Sequence, residues 1–90
     1  MDNRLSDAQK RILIQELGKK IKIERIINDM SVLELSEDLD MGNSHLSRVE
    51  NGVIVSPTIT TYLNICNALK IKPSKFFSVL DELEPFNDFD

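Results

Sequence analysis

Residues 31–52 carry the sequence SVLELSEDLDMGNSHLSRVENG, which contains the signals for two short helices and a turn between them. Ser31 and Glu34 have the spacing of a capping box, in which each side chain bonds the backbone amide of the other residue at a helix start. Residues 40–42 (Asp-Met-Gly) favour a turn, and Gly52 is typical of the position just after a helix. The segment therefore predicts a helix, a tight turn and a second helix that stops at Gly52.

The second of these helices, residues 43–51, has an apolar face and a polar face. Leu46 and Val49 point inward, and Met41 has the spacing of a hydrophobic staple with Leu46. The polar residues that cover the remaining surface are Asn43, Ser44, His45, Ser47, Arg48 and Asn51. The major groove of B-DNA admits one α-helix and presents donor and acceptor patterns that such side chains can bond. We therefore interpret this helix as a DNA-recognition helix, with its first turn nearest to the bases.

The sequence before this pair predicts a further helix. Ser6 and Gln9 have the spacing of another capping box, and apolar residues keep a helical spacing from there to Met30. Gly18 interrupts the pattern. Residues 7–29 are therefore expected to form either one long helix or two helices joined at Gly18.

The sequence after the pair predicts two more helices. Ser56 and Pro57 favour a helix start, with Ser as the cap and Pro at the first position, and an apolar stripe continues to Leu69. Pro73 opens a fifth, short helix. The end, residues 84–90, is acidic and is expected to be loosely packed unless Phe86 and Phe89 find an apolar contact.

Composition supports a small all-α protein without catalytic residues. The chain has 90 residues, no Trp, three Gly and three Pro, which favours one domain of short helices. One cysteine, Cys66, and one histidine provide neither an internal disulfide nor a zinc site. The sequence lacks a phosphate-binding loop, a nucleophile–base pair and a membrane span. We expect a cytoplasmic protein that is not an enzyme and needs no metal or cofactor.

The charge is unevenly distributed along the chain. The formal net charge is −4, but five acidic residues and no basic residue lie within residues 81–90. The other 80 residues hold eleven basic and ten acidic side chains. The total charge therefore does not exclude binding to nucleic acid, although it does not indicate it.

The spacing of these residues resembles the Cro/C1-type helix-turn-helix family, also called the XRE family, of phage and bacterial repressors. The matching positions are Leu17-Gly18, Ile21, Arg25, Ser31, Leu35, Leu39, the string Ser-Arg-Val-Glu-Asn-Gly at residues 47–52, Pro57, Leu63 and Ala68-Leu69. The resemblance implies a five-helix, lambda-repressor-like domain over residues 17–80. Residues 1–16 would be an N-terminal helical extension and residues 81–90 an acidic tail.

The resemblance also implies a function and residue roles. A homodimer would bind a pseudo-palindromic operator in double-stranded DNA and regulate transcription, in most cases as a repressor. Arg25 and Glu50 would form an interior ion pair between the first and the third helix of the motif. Asn51 would bond a backbone phosphate.

Several positions depart from the family pattern. Val32 stands where many members have Gln, and Asp40 stands where a turn Gly is usual. The loop after the recognition helix, often basic, is Val53-Ile54-Val55. The nearest basic residues besides Arg48 are Lys19, Lys20 and Lys22. We therefore expect weak or salt-sensitive DNA binding.

Two questions stay open at the level of sequence. The acidic second helix, the apolar loop and the aromatic C-terminus also suit a protein-interaction module, such as an antitoxin or antirepressor.

The surface that would form the dimer is the second open question. Residues 53–55 either fold back on the core or form a dimer contact. The helix at residues 7–17 is a second candidate for the dimer interface. A third is the apolar set Phe76, Phe77, Leu80, Leu83 and Phe86, which exceeds what one helix needs for its own core.

Overall fold

The computed structural model describes residues 2–53 and 57–90, and every regular element within these two ranges is helical. The expected all-α fold with five helices is confirmed. The helices are α1 (Asp7–Ile27), α2 (Val32–Asp38), α3 (Asn43–Glu50), α4 (Ile59–Leu69) and α5 (Pro73–Phe77). Two short 3-10 helices follow at Ser78–Glu82 and Phe86–Asp88.

α1 is a single continuous helix, which decides between the two alternatives that Gly18 left open. It begins at Ser6, whose hydroxyl accepts a 3.1 Å hydrogen bond from the Gln9 amide, while the Gln9 side chain accepts a 2.8 Å bond from the Ser6 amide. Gly18 is buried at the point where α3 approaches α1 most closely. A Cβ atom at Gly18 would lie 2.5 Å from the carbonyl oxygen of Glu50. Gly18 therefore permits a contact between helices and does not mark a joint.

The ends of α2 and α3 have backbone conformations that orient the following segments. Asp40 takes the turn after α2 with a φ of 50°, a left-handed conformation that Asp adopts more readily than most residues. Gly52 follows α3 with a φ of 69°. The amides of Gly52 and Val53 donate to the carbonyls of Val49 and Arg48 at 3.2 and 2.9 Å. This pair of bonds is a Schellman motif, which ends α3 at Glu50.

The expected start of α4 at Ser56 and Pro57 is wrong. α4 is capped by Thr58, whose hydroxyl accepts a 3.1 Å hydrogen bond from the Thr61 amide. Pro57 precedes this cap and is not helical, and Ser56 lies outside the described residues. A threonine cap satisfies an amide that would otherwise have no partner in the first turn, so the helix begins two residues later than predicted.

The core is built from one face of each helix. Its fully or nearly fully buried members are Leu17, Ile21, Leu35, Leu46, Val49, Tyr62, Ile65, Cys66, Leu69 and Phe76. Tyr62, Phe76 and Phe77 form an aromatic cluster with ring centroids 5.0–5.9 Å apart. Because Leu46 and Val49 are anchored in this core, the opposite face of α3 must point outward.

The C-terminus is partly packed, although none of residues 81–90 is buried. The 3-10 helix at Ser78–Glu82 packs against α1, and the second 3-10 helix packs against the first. The rings of Phe86 and Phe89 lie edge to face at 6.0 Å. Phe76 is fully buried, and Phe77 and Leu80 pack against the core. Much of the apolar set considered for a dimer interface therefore fills the chain's own interior.

We predict that Gly18→Ala destabilises the fold by about 1–3 kcal/mol, the usual cost of forcing extra volume into a packed contact. The reason is that the nearest atoms are the backbone oxygens of Val49 and Glu50, which cannot rotate away as a side chain can. Gly42→Ala is the control, since its new Cβ would meet nothing closer than 3.8 Å. Urea unfolding monitored by circular dichroism measures both variants. Equal stability of the two would contradict the close approach of α1 and α3.

Candidate nucleic-acid interface

α3 presents the predicted recognition residues on the surface of the protein. Leu46 and Val49 are buried, and Met41, just before the Gly42 cap, is half-buried against the core. Asn43, Ser44, His45, Arg48 and Asn51 are exposed, and Ser47 is half-buried. The structure thus leaves five of the six predicted residues exposed and one half-buried, distributed around the outward part of α3 and its C-terminal cap.

These six side chains are available for an external partner. Within residues 2–53 and 57–90, none of them forms a side-chain hydrogen bond or an ion pair. An eight-residue helix is about 12 Å long, close to the width of about 12 Å of the major groove. Arg48 can donate two parallel bonds to guanine, and Asn43 can pair with adenine through both its amide atoms.

The position of α3 is fixed from behind by a buried ion pair. Arg25 Nε donates to Glu50 Oε2 at 2.8 Å, and Arg25 Nη2 donates to Glu50 Oε1 at 3.1 Å. The side chains are only 10% and 4% exposed. Arg25 Nη1 also donates to the carbonyl oxygen of Met30 at 2.8 Å. The guanidinium therefore joins α1, the α1–α2 turn and the end of α3, and the structure places the two predicted partners in direct contact.

A second contact holds the C-terminal end of α3. Gly52 lies so close to α1 that a Cβ atom there would be 2.6 Å from the side chain of Gln15. Together with Gly18, it lets the end of α3 lie directly on the α1 backbone. Asn51 is next to this contact and stays exposed, beside the outward face of α3.

The charges around α3 oppose binding to phosphate. Glu37 and Asp40 are exposed and line a depression that reaches the start of α3 at Gly42. Glu34 caps α2, and its hydrogen bonds with the backbone and the side chain of Ser31 lower the pKa of its carboxyl, which favours the charged form. With Asp38 at the end of α2, four carboxylates therefore lie on or beside the helix that precedes α3.

The three basic residues of α1 nearest to the recognition helix, Lys19, Lys20 and Lys22, do not act together. Lys19 is 3.2 Å from Glu16, and Lys20 is 2.9 Å from Glu24, so both are already paired along α1. Lys22 is exposed and lies one helical turn after Gly18, on the side of α1 where α3 packs. Lys22 is therefore the lysine of this group best placed to accompany Arg48.

The apolar loop after α3 is described only at its first residue. Val53 is 64% exposed and does not fold back on the core. Ile54 and Val55 lie outside the described residues, so the choice between a dimer contact and a core contact stays a prediction for them.

The geometry described so far is that of a helix-turn-helix unit, α2 and α3, supported by three further helices. A family model described as Helix-turn-helix (HTH_3) matches residues 21–76, which is more than half of the chain. The chain belongs to the Cro/C1-type helix-turn-helix family. Members of this family are DNA-binding transcription regulators and are typically not enzymes. The search for similar curated proteins found no match.

The described part of this family member gives little evidence for a membrane span, a metal site or a reactive cysteine. Across residues 2–53 and 57–90, no helix is both long and apolar enough to cross a membrane, and no cluster of His, Cys, Asp and Glu could hold a metal ion. Cys66 is buried in the core, and burial raises the pKa of its thiol. A buried thiol of raised pKa is a poor nucleophile.

One surface feature was not identified from the sequence. Lys70 and Lys72 lie beside an open groove between α4 and α5, and together with Lys75 they also line a second depression next to Lys20 and Glu24 of α1. The sequence suggests only a connector at residues 70–72, because spacing along the chain does not reveal which helices meet there. The only signal in the sequence was the run of three lysines within six residues.

The buried ion pair generates a stability prediction. Glu50→Gln leaves the Arg25 charge buried without its counter-charge. We expect this variant to lower the free energy of unfolding by about 3–5 kcal/mol. The double variant Arg25→Met/Glu50→Leu should lose clearly less free energy of unfolding than the single variants Arg25→Met and Glu50→Leu lose together, because no buried charge remains without a partner. Urea unfolding of the variants provides the free energies of unfolding.

The exposed pair Lys19–Glu16 is the control for this cycle. Glu16→Gln should cost at most about 1 kcal/mol, as for most ion pairs at a protein surface. A loss for Glu50→Gln as small as that for Glu16→Gln would mean that the Arg25–Glu50 contact does not hold α3 in place.

Proposed function

We propose that this protein is a sequence-specific repressor that inserts α3 into the major groove of double-stranded DNA. The observation that carries the proposal is the unpaired polar face of α3, whose opposite face is held by the core and by the Arg25–Glu50 pair. A recognition helix needs both properties, since bases are distinguished only by side chains held at a defined position.

Each exposed residue of α3 has a role in this proposal. Asn43, Ser44, His45 and Ser47 contact base edges from the first half of the helix. Arg48 bonds guanine with two parallel donors. Asn51, beyond the end of α3, bonds a backbone phosphate and so fixes how deeply the helix enters the groove.

The proposed active form is a homodimer on a pseudo-palindromic operator. Two copies related by a twofold axis would place two recognition helices about one helical turn of DNA apart. Occupying the operator would block RNA polymerase in the cytoplasm. The DNA-binding domain would span residues 17–80, preceded by the extension at residues 1–16, which continues into α1, and followed by the acidic tail at residues 81–90.

A second candidate function is a protein-interaction module, such as an antitoxin or antirepressor. The observation that favours it is the exposed carboxylate pair of Glu37 and Asp40 at the start of α3, because these charges repel phosphate. A module of this kind would bind its protein partner through α2 and show no saturable binding to any duplex. A direct DNA-binding measurement therefore distinguishes the two candidate functions.

We predict that Arg48→Ala weakens DNA binding by about 1–3 kcal/mol, the typical loss of a bidentate contact with a base. The measurement is fluorescence anisotropy at two salt concentrations, with duplexes from upstream of the protein's own gene and from selection out of a random pool. Affinity should fall as the salt concentration rises.

Arg4→Ala is the matched control, because it removes the same side chain from a residue that is 87% exposed and paired only with Asp2. Arg4 lies more than two helical turns from the contact of α1 with α3 at Gln15. Equal effects of the two variants would contradict the role of Arg48. An absence of binding to every selected duplex would favour the interaction module.

The acidic residues beside α3 generate the opposite prediction. Glu37→Gln/Asp40→Asn should strengthen DNA binding by up to about fivefold at low salt, the range of one exposed charge interaction. Asn tolerates the left-handed conformation of residue 40, so the turn is retained. Asp81→Asn/Glu82→Gln removes two charges from the C-terminal region and is the control. An equal change in DNA affinity for both variants would mean that the total charge of the protein, and not the position of Glu37 and Asp40 beside α3, determines the effect.

A further inference from the structure

An apolar groove between α4 and α5 is open to the outside. Its floor is formed by Leu63, Cys66, Ile71 and Pro73, and its rim carries Lys70 and Lys72. The groove has a volume of about 480 Å³, within the range of about 300–1,000 Å³ over which pockets accept ligands. Leu63 remains 43% exposed. The groove can therefore accept an apolar side chain from a partner.

The groove does not belong to the proposed DNA-binding surface. α3 packs on the side of α1 that carries Gly18, whereas the lysines beside the groove adjoin Lys20 and Glu24. At 100° per residue, Lys20 lies on the opposite side of α1 from Gly18. A duplex bound to α3 would leave this groove free.

The rim of the groove has an excess of positive charge. Lys20 is paired with Glu24 at 2.9 Å. In the described ranges, no carboxylate lies within ion-pair distance of Lys70, Lys72 or Lys75. Lys70 and Lys72, which have no ion-pair partner among the described residues, lie beside an apolar floor in a chain of net charge −4. Such a groove matches an occupant that is both acidic and apolar.

The chain itself contains a segment of that chemistry. Residues 81–90 hold five acidic residues and no basic residue. Within them, Phe89 is 68% exposed although it is aromatic, and Asp88 and Asp90 flank it. In its own chain the segment packs beside the 3-10 helix at Ser78–Glu82, and the Phe89 ring contacts only one edge-to-face aromatic neighbour among the described residues, Phe86, so most of Phe89 stays exposed.

We propose that residues 86–90 of a second copy of this chain dock in the α4–α5 groove. Phe89 contacts the apolar floor, and Asp88 and Asp90 pair with Lys70 and Lys72. Two copies that exchange these segments form the same contact twice, which closes a symmetric dimer. This inference rests on the proposed dimer and assigns its surface, but it does not depend on DNA binding. It leaves both recognition helices exposed.

The test is sedimentation equilibrium of the full chain without DNA, with charge-reversed variants. Lys70→Glu/Lys72→Glu makes the rim acidic, and Asp88→Lys/Asp90→Lys makes the segment basic. Each variant alone repels its own copies and should associate about tenfold more weakly than wild type or worse. An equimolar mixture restores both contacts, because an acidic groove meets a basic segment and a basic groove meets an acidic one. The mixture should associate about as strongly as wild type.

Two further variants complete the test. Phe89→Ala should weaken association without any change of charge. Lys10→Glu/Arg11→Glu has the same change in net charge as the rim variant but leaves the groove intact, and it should associate like wild type. Circular dichroism verifies that each variant folds, and the recovery in the mixture excludes misfolding as the cause of the loss.

The outcomes separate the inference from the proposals on which it rests. A wild-type dimer that survives both charge reversals overturns this surface and leaves the proposed dimer standing. A chain that stays monomeric at every concentration overturns the dimer as well, and an acidic apolar segment of another protein would then be the occupant to test. Neither result affects the DNA-binding proposal, which depends on the titration of Arg48→Ala.

Discussion

The arrangement of this protein depends on one buried ion pair. Arg25 and Glu50 come from helices that are far apart in sequence, and neither charge can be buried without the other. The third bond of the guanidinium, to the carbonyl of Met30, ties the α1–α2 turn to the same point. Because Gly18 allows the α3 backbone to lie directly on α1, the pair forms at short range. The outward direction of the α3 side chains follows from these contacts.

Charge divides the surface into two regions, to which we assign different proposed functions. The face of α3 carries Arg48 among neutral polar side chains, beside the carboxylates Glu37 and Asp40. DNA affinity therefore has to come from specific contacts more than from general attraction to phosphate. Lys70 and Lys72, which form no ion pair within residues 2–53 and 57–90, lie on the other side of α1, beside the α4–α5 groove. They complement the acidic C-terminal segment, and the proposed docking of that segment would link the negative net charge of the chain to dimer formation.

The parts of the structure that depend on short-range signals were predictable from the sequence. The capping box at Ser6 and the stop of α3 at Gly52 depend on residues within one helical turn. The start of α4 was mispredicted because Thr58 competes with an equally local Ser-Pro signal. The role of Gly18 and the packing of the C-terminus depend on contacts between distant segments, which periodicity does not reveal. The outward position of the polar residues on α3 was predictable because Leu46 and Val49 mark the buried face of that helix. No sequence pattern indicates the α4–α5 groove.

The most direct test of the account is an NMR titration of the ¹⁵N-labelled protein with a duplex selected from a random pool. We expect the largest amide shift changes at residues 43–48 and at Asn51, with the resonances of Leu63 and Ile71 in the α4–α5 groove unchanged. The Arg25 side-chain resonance should also stay in place, because the ion pair is already formed before DNA binds. Selection that enriches no sequence, or shift changes centred on the α4–α5 groove, would contradict α3 as the DNA-recognition helix.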